Sequence, residues 1–430
     1  MCKNEIFKNN KPIEKPVLDW EEFKISFLKN HYNENMFKED GSFNPKYNSD
    51  KKTGVIAQIL DDHWNKIPDH SKHNILISRP NADKEVKKVI DCYNKNLGCS
   101  VYYCEDCDEF TYVGHTCKSR FCTSCGYKYK LCRTEKIIAT AYNCKHRHIV
   151  FTMPEELRYY FFVKYEVMIN ILFEAVNLTI NSILNESFKK ENGKLKKYVS
   201  TEKYTPGFFA FLHTFGRDMK WNPHIHVLLA EIKLTKDKCE DWNYFSFNAL
   251  RKRFMRNLLE LMSKELGPSF DSMKNKMYKE HKKGFYVYAK KKKFKKLKHL
   301  IEYNARYCGR PAISENRILN YDGENVTFCY NDHNDNSYHE VTVTAFEFIA
   351  MLLRHIIPEN FKTIRYFGFY RKKSPLHEQL IKMISNEVMK IRKSILNHKM
   401  CIIKFFKRNP YDCPKCGKSM EYFCEIKGDG

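Results

Sequence analysis

The first thirty residues hold no apolar signal core; they are charged throughout, and no secretory signal is read there. The chain also lacks any run of eighteen apolar residues, so no membrane span is expected. Acidic residues are in the minority, 51 Asp and Glu against 75 Lys and Arg, which leaves a net charge of +24. A surplus of that size favours a polyanionic partner, because each neutralised phosphate releases counterions. No internal repeat is visible. What remains is a chain of 430 residues, long enough for a large core and two or three domains. It is rich in Phe (31) and Tyr (27). Most of these rings belong to the core, but basic groups interleaved with aromatics also suit single-stranded nucleic acid, where bases stack and phosphates pair.

With no secretory signal read, the 17 cysteines are expected to be metal ligands rather than disulfides. Their clustering agrees. Cys104 and Cys107 form one C-x2-C knuckle, Cys122 and Cys125 a second, with fourteen residues between them. Two knuckles close a tetrahedron of thiolates around zinc, so these four are the expected ligands. Cys92, Cys99, His115, Cys117 and Cys132 lie nearby, enough for a second site or for a replacement ligand, with Cys117 the first alternate. A further knuckle, Cys413 and Cys416, lies near the C-terminus, with Cys424 and Cys401 as candidate partners for a zinc ribbon.

The pattern along the chain divides it into a polar arm (1–50), a helical and cysteine-rich segment (51–135), a segment of alternating strands and helices (146–370) and a C-terminal part (371–430). Residues 146–154 read as a strand closed by proline, 155–187 as a helix, and 188–206 as a Lys- and Asn-rich loop. Residues 207–215 and 224–232 read as two strands joined by a turn through Gly216, Arg217 and Asp218. Residues 247–266 read as a helix ended by Gly267-Pro268. Residues 325–330 and 339–344 form a hairpin, 345–355 a helix, and 376–396 an amphipathic helix.

Within the second of the paired strands, His224 and His226 alternate with apolar residues in Trp221-Asn222-Pro223-His224-Ile225-His226-Val227-Leu228-Leu229. A strand has a side-chain period of two, so both imidazoles leave one face. Two nitrogen ligands on a rigid element begin a divalent metal site. A third ligand is offered by the neighbouring strand. A turn centred near Met219 would set His213 opposite His226, on the same face; His148 is the second choice. Further along, Tyr303 and Tyr307 stand one helical turn apart in Glu302-Tyr303-Asn304-Ala305-Arg306-Tyr307-Cys308-Gly309-Arg310. Arg306 and Arg310 each follow a tyrosine by three residues. Upstream run seven lysines, Lys290, Lys291, Lys292, Lys293, Lys295, Lys296 and Lys298. Such a run is ordinarily a solvated face, but beside these tyrosines it reads as a track for DNA phosphates. A metal that polarises a phosphate, with a tyrosine that attacks it, is the equipment of a DNA-nicking enzyme.

Taken together, His213-Thr214-Phe215-Gly216-Arg217, Asn222-Pro223-His224-Ile225-His226 and Tyr303-x3-Tyr307 with Arg310-Pro311-Ala312-Ile313-Ser314 resemble a rolling-circle insertion-sequence transposase. The resemblance is to the two-tyrosine class with a His-hydrophobe-His (HUH) motif. The segment from Cys104 to Cys125 resembles that family's N-terminal zinc-binding domain. Phe348 to His355, Pro358 and Ile364-Arg365-Tyr366-Phe367-Gly368 resemble its C-terminal part. The resemblance runs from about residue 55 to about residue 425. It departs at Cys99, where the family tends to have glycine.

The resemblance implies an α+β fold: a HUH-nuclease core, with a five-stranded central antiparallel sheet flanked by helices, preceded by a small cysteine-rich zinc-binding domain. It implies nicking and rejoining of single-stranded DNA through a 5′-phosphotyrosine, a divalent cation (Mg or Mn) at the nuclease site and structural zinc. Single-stranded element ends would be the partner, with no membrane involved and oligomerisation left open, in the cytoplasm and nucleoid of a bacterium. A replication initiator or relaxase would share the chemistry. A non-enzymatic zinc-dependent nucleic-acid binder would lack it.

Overall fold

The computed structural model describes residues 54–92, 97–142, 144–191, 194–242, 246–289, 312–332, 336–376, 409 and 411–426, with three two-residue strands, Phe7–Lys8, Lys11–Pro12 and Val17–Leu18. The N-terminal part carries helices α1 (Val55–His63), α2 (Asp69–Ser78) and α3 (Ala82–Ile90), the hairpin β1 (Cys99–Cys104) and β2 (Glu109–Gly114), and helix α4 (Thr123–Thr140). Then follow β3 (His146–Thr152), α5 (Arg158–Val163), α6 (Tyr165–Asn185), the hairpin β4 (Glu186–Glu191) and β5 (Lys194–Val199), β6 (Thr205–Phe215), β7 (Trp221–Leu234) and β8 (Cys239–Asp241). The remainder comprises α7 (Phe247–Leu266), α8 (Asp271–Glu280), β9 (Val287–Tyr288), β10 (Ile318–Tyr321), β11 (Asn325–Asn331), β12 (Tyr338–Thr344), α9 (Ala345–Leu353), β13 (Ile364–Gly368) and β14 (Glu421–Ile426).

The fold is α+β. Its central sheet has the order β9-β3-β7-β6-β13, antiparallel throughout, with β8 added beside β7. One face is wholly apolar. Ile149 and Phe151 of β3, Phe208, Ala210 and Leu212 of β6, and Ile225, Val227 and Leu229 of β7 are buried there against α6 and α7. Burying a side chain of this size is worth about 1.5–3 kcal/mol, so this layer anchors the sheet. Helix α6 is long and apolar enough to cross a membrane by length and composition. In the fold its apolar side, including Met168, Leu172, Phe173 and Val176, packs into this core. Helix α7 starts where the Ser246 side chain accepts from the Ala249 amide (3.3 Å) and stops at Gly267, whose φ of +68° suits glycine. Helix α9 opens on a capping box, Thr344 with Glu347.

Three readings of the sequence need correction. The helix expected over 155–187 is broken at Lys164 (φ −103°, ψ 55°), which separates α5 from α6. The loop expected over 188–206 is largely the β4–β5 hairpin. The β6–β7 register places His213 opposite His224, and His226 opposite Phe211. The turn is centred one residue earlier than the expected Met219. That moves each partner by two positions, and because the side-chain period is also two, His213 keeps its face. Met219 itself takes φ +61°.

The opposite sheet face is divided. At one end Phe209, Phe211, Leu228 and Ala230 pack with Ile137, Tyr142, Phe369 and Tyr370. The other end carries histidines. A second core joins α1 and α3 to the β10-β11-β12 sheet and α9, through Ile56, Leu60, Val86, Phe328 and Phe348. Met219, at the β6–β7 turn, is buried in that core. His355 holds the turn there: its Nε2 lies 2.9 Å from the Met219 carbonyl and its Nδ1 3.1 Å from Thr214 Oγ1, while its ring stacks on Trp221. Burial lowers the His355 pKa from 6.5 to about 3.

Below pH 6.5 the unfolded chain protonates this histidine and the native one does not, so stability falls with pH until about 3. His355→Gln should remove up to about 1.4 kcal/mol per pH unit of that dependence. Urea midpoints of wild type and variant between pH 7.5 and 5 should therefore converge as pH falls; parallel curves would contradict the assignment.

Candidate metal and nuclease site

The histidine end of the sheet is built by strand alternation. On β7, His224 and His226 share a face while Ile225 and Val227 point into the helix-covered core. On β6, His213 stands beside them while Leu212 faces the core. A ligand atom of each of the three imidazoles lies within 4.8 Å of the others. Ring centroids are 3.9 Å apart for His213 and His226, 5.2 Å for His213 and His224, and 5.0 Å for His224 and His226. His213 is buried; the other two are half-buried.

The surroundings favour the neutral form of two of the three rings. Burial, then the neighbouring imidazoles, holds His213 and His226 well below the usual histidine pKa. The His224 Nδ1 lies 2.6 Å from the Asn222 carbonyl. A carbonyl only accepts, so the Nδ1–H donates, which in the neutral ring leaves Nε2 as the nitrogen with a lone pair for a metal. His148, the second choice for a third ligand, stands behind the cluster: its Nε2 lies 2.8 Å from His226 Nδ1, and the two rings stack. Tyr288 of edge strand β9 approaches His148, with ring centroids 6.2 Å apart. Three imidazole nitrogens on one rigid surface match the donor set of a divalent transition-metal site, and a metal-bound imidazole is ordinarily oriented by a hydrogen bond from its other ring nitrogen, which His148 is placed to accept. Neither the His148–His226 contact nor the His355 brace was legible in the sequence, since the first depends on strand pairing and the second on how the segment after α9 packs against the β6–β7 turn.

The expected nucleophiles Tyr303 and Tyr307, the arginines Arg306 and Arg310, and the lysines Lys290, Lys291, Lys292, Lys293, Lys295, Lys296 and Lys298 lie outside the described residues, as does most of the expected helix over 376–396. The described chain ends on this side at Ala289. It leaves from β9, whose Tyr288 pairs with Val150, itself opposite His226.

The cysteines form two groups, and this corrects the expected set of Cys104, Cys107, Cys122 and Cys125. Cys122 and Cys125 converge with Cys92 and Cys117; Cys104 and Cys107 converge with Cys413 and Cys416. The reason is hairpin length. Cys104 and Cys107 sit at the tip of the β1–β2 hairpin, whereas Cys117 and Cys122 follow its open end. Six-residue strands at ~3.4 Å per residue keep the two places roughly 15–20 Å apart. In the first group Sγ–Sγ distances are 3.6 Å (Cys92–Cys125), 3.5 Å (Cys117–Cys125) and 3.7 Å (Cys92–Cys122). A tetrahedron with ~2.3 Å metal–sulfur bonds has edges of about 3.8 Å. Cys99 is buried in β1, Cys424 in β14, and Cys132 lies on α4, all outside both groups; Cys401 is outside the described residues. His115 bonds the Leu97 carbonyl and Ser100 instead.

The first group is built into the second core. Cys117, Cys122 and Cys125 are buried with Ile56, Leu60, Val86 and Met219. Arg120, between the cysteines, donates to the Phe361 carbonyl and Thr363 Oγ1 (both 3.1 Å), just ahead of β13.

Comparison with known proteins decides the family. Residues 59–153 match a transposase zinc-binding domain of the IS91 type, and residues 207–376 match a family described as "Putative transposase" of the Y2 class. The chain belongs to this transposase family. It is 27% identical over 368 residues (80% of this chain, 83% of the relative) to the transposase for insertion sequence element IS801 of Pseudomonas savastanoi pv. phaseolicola. It is 26% identical over 311 residues (67% of this chain, 74% of the relative) to "Putative transposase y4qJ" of Sinorhizobium fredii. The two matched segments divide the features between them: the histidines of β6 and β7 fall in one, and Cys92 to Cys125 in the other.

Because the first sulfur group shares its core with the N-terminal helices, removing one thiolate from this transposase should cost both metal and fold. Cys122→Ser should lose one zinc per chain by elemental analysis and speed amide exchange across residues 55–90. Unchanged zinc content with unchanged protection would reject the grouping.

Proposed function

We propose that this transposase cuts and rejoins single-stranded DNA at the ends of its element through a 5′-phosphotyrosine, with a divalent cation held by His213, His224 and His226. The observation that carries this reading is the convergence of three imidazoles on one sheet face. Bound there, a Mg or Mn ion would polarise a non-bridging oxygen of the scissile phosphate and steady the charge that builds during transfer.

The chain's own residues do the rest. Tyr303 or Tyr307 loses its proton and its phenolate oxygen attacks phosphorus. The bond from phosphorus to the 3′ oxygen breaks, and the departing oxygen takes a proton to leave a free 3′ hydroxyl. Attack by a 3′ hydroxyl on the phosphotyrosine reverses the step and rejoins a strand. Two tyrosines one turn apart let a second strand be cut while the first is still held. Arg306 and Arg310 lower the cost of the phenolate and of the transition-state charge. Lys290, Lys291, Lys292, Lys293, Lys295, Lys296 and Lys298 supply a phosphate track. Support for the tyrosines' reach comes from β9. The described chain leaves two strands, about 10 Å, from His226, and Tyr303 follows Tyr288 by fifteen residues.

His148 is a positioning residue in this reading. With His226 Nε2 as the ligand atom, His226 Nδ1–H donates to His148 Nε2 across the observed 2.8 Å contact. Loss of such a partner costs about 10–100-fold in metal affinity or activity.

A single-stranded oligonucleotide from the element end, incubated with protein and Mg, should give a covalent adduct on a denaturing gel. His224→Ala and the Tyr303→Phe/Tyr307→Phe double variant should form none, and His148→Ala should fall in the range above with partial recovery at high metal. An adduct formed by the double variant at the wild-type rate would sink the tyrosine assignment. An adduct formed by His224→Ala at that rate would sink the metal assignment.

A further inference from the structure

The last described segment of the chain does not stand alone. Strand β14 pairs antiparallel with β1, so that Glu421 lies opposite Tyr103 and Ile426 opposite Cys99. It thereby enters a four-stranded sheet, in the order Val17–Leu18, β14, β1, β2, that spans most of the sequence. At the end of that sheet two C-x2-C turns face each other. One lies at the β1–β2 tip, where the Cys107 amide donates to the Cys104 carbonyl (3.3 Å). The other begins at Cys413, where the Gly417 amide donates to the Cys413 carbonyl (2.7 Å) and Gly417 takes φ +73°. A β-carbon at Gly417 would meet nothing within 4 Å, so the glycine is there for its backbone conformation.

Ligand atoms of Cys104, Cys107, Cys413 and Cys416 all lie within 4.8 Å of one another. Cys104 and Cys416 sulfurs are 3.6 Å apart, beyond the ~2.05 Å of a disulfide and close to the edge of a zinc–thiolate tetrahedron. The surroundings are matched across the joint. Lys418 pairs with Asp106 (2.6 Å) and Lys415 with Glu109 (2.7 Å), each lysine from the C-terminal turn and each carboxylate from the N-terminal one. Tyr102 packs edge-on against Tyr411 and Tyr422, and Met420 is buried with Cys104 and Cys413.

We propose that Cys104, Cys107, Cys413 and Cys416 bind a second structural zinc, which clasps the C-terminal segment onto the N-terminal zinc-binding domain. The matched family domain ends at residue 153 and contains only half of this site. Each knuckle supplies two thiolates and neither can close the tetrahedron alone, so the ion is held only when residues more than 300 positions apart meet. The clasp makes the β1–β2 hairpin and residues 411–426 one body, although the strands that carry the histidines lie between them in sequence. This inference is independent of the nicking chemistry.

The test is zinc stoichiometry of the full-length protein, combined with alkylation mapped by mass spectrometry. Two zinc ions per chain are expected. Cys416 is exposed, so Cys416→Ser should fold and retain one zinc, and Cys416→His should keep two. In the wild type, iodoacetamide should spare Cys416 despite its exposure until a chelator is added. Cys104, Cys107 and Cys413 should then become reactive with it. Retention of two zinc ions by Cys416→Ser would overturn the proposal, as would alkylation of Cys416 in untreated protein at the rate of a free thiol.

Discussion

Everything at the nuclease end depends on the β6–β7 pair being buried on both sides. On one side Phe208, Ala210, Leu212, Ile225, Val227 and Leu229 are locked against two helices. A slip of one residue would turn all of them outward and bring the histidines into the apolar layer. The apolar face therefore sets the register, and the register sets where His213, His224 and His226 stand. The other side needs no separate device to gather them. Phe209, Phe211, Leu228 and Ala230 fill half of that face, and the imidazoles occupy the half left over.

The pair is also held at its turn. Met219 sits in the second core with Cys117, Cys122 and Cys125, and His355, just beyond α9, bonds the same turn. Arg79 adds another tie. It donates to the Arg354 carbonyl from Nε (3.1 Å) and from a terminal nitrogen (2.9 Å), and lies over the rings of Phe162, Tyr165 and Trp221. Burial lowers its pKa to about 10, still well above neutrality, so it remains a cation enclosed by aromatic faces and carbonyls. The zinc-binding segment is thus a buttress for the strands that carry the histidines, and its distance in sequence from them is no measure of its distance in the fold.

How far the sequence could be read follows from the range of each signal. The His-x-His alternation is local, and strand periodicity alone put both imidazoles on one face. The partner strand was legible too, but its register was not. The pairing shifts between Trp221 and His224, and a shift of that kind leaves no mark in the hydrophobic pattern. Helix α7 was readable to the residue, because Ser246 and Gly267-Pro268 mark its ends chemically. The cysteines show the opposite case. C-x2-C spacing identifies a knuckle, yet nothing in it says which two knuckles meet. Cys104 and Cys107 have their partners at Cys413 and Cys416, joined by strand pairing across nearly the whole chain. Cys92 was visible only as a neighbour. Tyr303 and Tyr307 lie outside the described residues, and their role rests on the motif and on the cation they would share.

The reading of the nuclease end stands on the three imidazoles binding one divalent cation. Mn(II) added to zinc-loaded protein, followed by electron spin-echo spectroscopy, tests it without any need for DNA. One bound Mn(II) per chain is expected, with nitrogen modulation from histidine in its echo, and both the site and the modulation should be lost in a His224→Ala/His226→Ala variant that keeps its zinc. Mn(II) bound without nitrogen coupling, or bound equally well by that variant, would contradict it.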